Sequence, residues 1–85
     1  MASYEEYEEA TASVAMIERL GPNAIRFASE DEEEIWNYDD AMARYGYACK
    51  WEADARRLFT DGEIPEAEVF RCSEFRLRLA RALDL

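Results

Sequence analysis

Apolar positions recur along this chain at mostly helical spacing, in three runs separated by turn signals. In the first run Tyr7, Ala10, Val14 and Ile17 share one stripe, with Tyr4, Met16 and Leu20 at its margin, and the spacing predicts a helix from Tyr4 to Leu20. Ser3 stands three residues before Glu6, the capping-box spacing in which hydroxyl and carboxylate satisfy each other's free backbone amides. Gly21 and Pro22 then offer a left-handed stop and a residue that cannot continue a helix. Residues 23–28 are apolar at Ala24, Ile25, Phe27 and Ala28 but too few for periodicity to choose among a helical turn, an extended segment and a small strand. They read as an irregular or single-turn connector, with Ile25 and Phe27 plugging one end of the core and Arg26 turned to solvent.

Ser29 with Glu32 repeats the capping-box spacing, so a second helix is expected to start near Glu30 and to run to Thr60, where Asp61-Gly62 marks a turn. Ile35, Tyr38, Met42, Tyr45, Cys49 and Phe59 form one stripe on it, and Trp36, Ala43, Tyr47, Trp51 and Leu58 form another. A helix apolar on two faces belongs at the centre of its bundle. Gly46 in its middle, where glycine costs roughly 1 kcal/mol against alanine, marks a close helix approach or a bend. Pro65 suits the first position of a third helix, whose stripe is Val69, Cys72, Phe75 or Arg76, Leu79 and Leu83. Arg71, Arg78 and Arg81 gather with Glu74 on its other side, where late cations complement the helix dipole. The expected fold is all-α: one domain over residues 1–85, a small bundle of about three helices with helix 2 longest and central.

Size and composition narrow this only slightly. Eighty-five residues support a single core but lie near the size at which burial is marginal, so a partner surface or a homodimer contact is readily accommodated. Cys49 and Cys72 without a leader-like apolar segment argue for reduced thiols, and no run approaches the ~20 apolar residues that cross a bilayer. A soluble cytoplasmic protein is expected.

Charge changes the picture more. Residues 1–40 carry twelve acids against Arg19 and Arg26, a net charge of −10, whereas residues 41–85 carry eight acids and eight bases. The whole imbalance of the chain lies in one half. Such a field repels nucleic acid and anionic membranes and attracts basic protein surfaces; it also serves plain solubility. Capping explains one or two carboxylates of the run Glu30, Asp31, Glu32, Glu33 and Glu34, not all five.

Catalysis finds little support. The chain has no histidine, the commonest general base and metal ligand, and no glycine-rich phosphate loop or calcium-loop pattern. Its acids stand in consecutive runs that splay around a helix, not in pairs on one apolar face, so no cofactor or metal site is expected. The function that fits is binding. Glu5, Glu6, Glu8 and Glu9 on helix 1, with Glu30, Asp31, Glu32, Glu33, Glu34, Asp39 and Asp40 on helix 2, would form a carboxylate array that stands in for a phosphate backbone. Trp36, with Tyr4 or Tyr38, would add anchoring area. Phage-encoded inhibitors of restriction and CRISPR systems share this size and charge, which makes a nuclease or CRISPR effector component the expected kind of partner. The competing expectation is a small helical adaptor, antitoxin-like or oligomerisation module that binds through apolar helix faces and carries acid for solubility alone.

Overall fold

The structure, a computed structural model, describes residues 4–85. Helix α1 (Tyr4–Ala12) leads into three strands, β1 (Met16–Gly21), β2 (Ala24–Ala28) and β3 (Glu33–Trp36), followed by helices α2 (Tyr38–Thr60) and α3 (Glu66–Ala82). The strands form one antiparallel sheet in the order β1-β2-β3. The fold is therefore α+β, and the expectation of an all-α helical bundle is overturned. The capping pair expected between Ser3 and Glu6 lies outside the described residues.

Each missed strand has a local cause. The first helix stops at Ala12, where the Ser13 hydroxyl donates to the Ala10 carbonyl at 2.9 Å and offers the backbone an alternative to the next helical bond. Gly21 and Pro22 end a strand instead of a helix: Pro22 and Asn23 form the turn between the paired residues Gly21 and Ala24, a role for which the fixed φ of proline also suits. The register shifts between Arg19 and Gly21, leaving Leu20 as the extra residue of a bulge. Residues 24–28 are the middle strand, not a connector, and their alternation sends Ile25 into the core and Arg26 to the opposite face.

The most instructive miss is Ser29 and Glu32. The hydrogen bond expected of a helix cap is present, with the Glu32 amide donating to the Ser29 hydroxyl at 3.1 Å. It closes the β2–β3 turn, because the Ser29 amide in turn donates to the Glu32 carbonyl at 2.8 Å. The same side chain serves a turn as well as a helix end. The N-cap of α2 is Asn37, whose side chain accepts from the Asp40 amide at 2.8 Å, while Asn23 accepts from the Tyr38 amide at 2.7 Å.

Packing is also centred elsewhere. Helix α3 lies against α1, α2 and β1, and along it only Arg71 and Arg81 are exposed. It, not α2, is the central helix. The buried residues of α2 are Ala41, Ala48 and Ala55, seven apart, a stripe of small side chains along which helices approach closely. Gly46 is no such approach point: a side chain there would meet nothing within 4 Å, and α2 runs on through it. Ile25, Trp36, Ala41, Leu79, Ala82 and Leu83 form the core between sheet and helices. Helices α2 and α3 both end in Schellman-type bonds, with Gly62 and Asp84 as the left-handed residues.

Candidate functional site

The strand that replaces the start of the second helix redistributes the acids. Glu30, Asp31 and Glu32 stand exposed in the β2–β3 turn, at the end of the sheet where Met16 pairs with Ala28 and Ala28 with Glu33. Asp39 and Asp40 open α2 beyond the other end of β3, which at four residues spans about 13 Å of extended chain. Sequence neighbours that a helix would have gathered are thus held at opposite ends of the sheet. On α1, Glu5, Glu6, Glu8 and Glu9 are all exposed, flanking the inward Tyr7, Ala10 and Thr11.

Among the expected contact residues, Glu33, Glu34 and Trp36 have partners within the fold. Glu33 pairs with Arg26 at 3.2 Å, and Arg26 also pairs with Glu18 at 3.1 Å across the outer face of the sheet. The bond to Arg26 holds the Glu33 carboxyl below its ordinary range and, from the other side, raises the Arg26 guanidinium. Glu34 accepts from the Trp36 indole at 3.0 Å. Trp36 itself is only 7% exposed, stacked on Phe27 with ring centroids 4.9 Å apart and covered by the Arg44 guanidinium, so it is a core residue and not a surface anchor. By contrast, no cation pairs with Glu30, Asp31, Glu32, Asp39 or Asp40 among the described residues.

The charges of α3 have structural work. Arg78 donates to the carbonyls of Val14 (2.8 Å), Ala15 (3.2 Å) and Thr11 (3.2 Å), and to Glu74 at 3.0 Å, clamping the α1–β1 connection. The Tyr7 phenol donates to the other Glu74 oxygen at 3.1 Å, and that bond, with burial, raises its pKa. Arg76 bonds Glu52 at 3.0 Å between α3 and α2. Burial alone would raise the Glu52 carboxyl, but Ser73, Arg76 and Arg56 together carry it below its ordinary value.

The sequence reading missed an aromatic cleft. Tyr47 and Trp51, assigned above to a second buried face of a central helix, are 60% and 55% exposed and stack at 6.2 Å. Trp51, Phe75 and Phe27 wall an open cleft of about 370 Å³ floored by Ala48 and Cys72. Val14 and Ala15 close one side, and Ser13, Ser29 and Arg71 form its polar rim. Burial raises the Cys72 thiol, as do Glu68 and Glu52, so it is protonated at neutral pH and a poor nucleophile. Both cysteines are free. A second groove of about 260 Å³, lined by Glu6, Glu9, Glu66 and Pro65, adjoins the cleft at Arg71, which lines both and bonds Glu68 and the Ser13 hydroxyl. The signal for the cleft was the seven-residue alanine spacing of α2, which fixes the buried face and so leaves Tyr47 and Trp51 outside it.

No described helix is long and apolar enough to cross a membrane. No family model matches the chain, and no curated protein or solved structure matches it either.

Proposed function

We propose that the protein is a non-catalytic cytoplasmic inhibitor that offers carboxylates to a basic, nucleic-acid-binding protein in the place its nucleic acid would occupy. One observation carries this reading: Glu30, Asp31 and Glu32 crowd one exposed turn, and no cation of the described chain pairs with them. Holding like charges together is unfavourable in the free protein, and Lys or Arg of a partner relieves that repulsion with charge-assisted hydrogen bonds. The acids at the far end of the sheet, Asp39 and Asp40, lie at a second position along the same basic surface. A nuclease or CRISPR effector component has a groove of the required sign.

The exposed Tyr47–Trp51 stack favours a second reading, an adaptor or antitoxin-like module bound through apolar contacts. Capture from lysate at low salt separates the two. A nucleic-acid-binding protein that elutes at moderate salt, is displaced by added DNA and is lost on charge reversal of Glu30, Asp31 and Glu32 supports the inhibitor reading. A salt-resistant partner indifferent to DNA and to charge reversal overturns it in favour of the module.

A further inference from the structure

The geometry points to the cleft between β2, α2 and α3 as the anchor site of the basic partner, built to take one aromatic or large aliphatic side chain flanked by lysine or arginine. This rests on the reading of the protein as a binder of basic proteins and adds where and how the partner is held. The cleft has the size for a side chain: about 370 Å³, open to solvent, with the rings of Phe27, Trp51 and Phe75 around it. Trp51 meets Phe75 at 6.5 Å on one side and Tyr47 at 6.2 Å on the other, so an entering ring or alkyl chain extends an existing aromatic cluster.

Charge complementarity selects the occupant. The rim residue Ser29 leads directly into Glu30, Asp31 and Glu32, so the acidic turn begins at the lip of the cleft. Arg71 lines the cleft as well as the groove of Glu6, Glu9 and Glu66. Arg71 is itself bonded to Glu68 and to the Ser13 hydroxyl. An apolar depression with an acidic turn at its lip disfavours an acidic ligand and favours a segment in which an apolar residue is flanked by cations. The buried apolar contact supplies the anchor, and the acidic turn supplies steering and register.

The test uses three synthetic peptides and the intact protein at low salt: Lys-Arg-Phe-Lys-Arg, the same sequence with Ser for Phe, and Glu-Glu-Phe-Glu-Glu. Amide shift mapping by NMR is expected to centre the first peptide on Phe27, Ala48, Trp51 and Phe75, with the serine peptide bound about tenfold more weakly and the acidic peptide not bound. Trp51→Ala, at an exposed position, is expected to erase the preference for Phe over Ser, and Glu9→Lys to weaken both basic peptides alike. If either variant fails to fold, the peptide comparison on the unchanged protein decides. Equal binding of the Phe and Ser peptides, with shifts confined to the β2–β3 turn or to Asp39 and Asp40, overturns the cleft assignment and leaves the acidic-surface reading intact. Failure of both basic peptides to bind overturns both. Preference for the acidic peptide, or a dimer of the protein that covers the cleft, overturns the assignment as well.

Discussion

On α3, Arg76 and Arg78 are each bonded to a carboxylate and drawn largely out of solvent, whereas in the β2–β3 turn Glu30, Asp31 and Glu32 stand exposed with no cation paired to them among the described residues. Both regions are dense in charge, but the charges of α3 hold elements together: Arg78 ties down the α1–β1 connection, and the Arg76–Glu52 pair joins α3 to α2. Those of the turn hold nothing. A charge that satisfies buried partners is accounted for by the fold; a cluster of like charges that satisfies nothing inside the molecule is where a role outside it is to be sought.

The widest separation between the two regions is expected at Arg78. Arg78→Ala removes the bonds to three carbonyls and to Glu74 and is expected to lower stability by about 2–3 kcal/mol, read as a shift of the urea midpoint; an unchanged midpoint would mean that the charges of α3 hold no more than those of the turn. Glu52→Gln comes next, at about 1–2 kcal/mol near neutral pH, since it breaks a partly buried bond between helices. The folded-state pKa of Glu52 is depressed, so its contribution is present above the unfolded value near 4.3 and lost as pH falls through the folded value. Stability measured against pH should therefore bring wild type and Glu52→Gln together in acid, and a gap that persists there would assign the loss to packing alone. Gly46 belongs to neither region and gives a smaller step of opposite sign: Gly46→Ala should stabilise by about 0.5–1 kcal/mol, because the added methyl meets open space on a continuous helix. The smallest effect is expected in the turn itself. Replacing Glu30, Asp31 and Glu32 together by glutamine, asparagine and glutamine should leave stability within about 0.5 kcal/mol or raise it slightly, while removing partner binding.

What could be read from the sequence follows the range of the interactions involved. The end of α2 and the start of α3 were legible because Asp61-Gly62 and Pro65 act locally, although Pro65 is the N-cap residue and α3 starts at Glu66. The sheet was not legible, because strands of four to six residues are too short for periodicity to decide: Val14 and Ile17 stand at helical spacing, yet Ile17 lies in β1 and Val14 in the connection before it. Ser29 and Glu32 show the limit most sharply, since their hydrogen bond forms as expected yet belongs to a turn. Alternation at Ile25, Arg26 and Phe27, and Asn37 three residues before Asp40, were the signals available for the correct assignment. Of the site, the acids were legible as a charge imbalance, but their division between two ends of a sheet, the burial of Trp36 and the exposure of Trp51 depend on tertiary packing.

The central claim is that the acids left unpaired by the fold are the binding surface. It is tested most directly by the affinity of the captured partner for wild type and for the Glu30→Lys, Asp31→Lys, Glu32→Lys variant, each at roughly 50 and 300 mM salt, where the screening length falls from beyond the width of the turn to within it. Salt is expected to weaken the wild-type complex by about tenfold or more, and charge reversal to abolish it at either salt. An affinity unchanged by both would rule out the acids as the binding surface and transfer binding to the apolar surface.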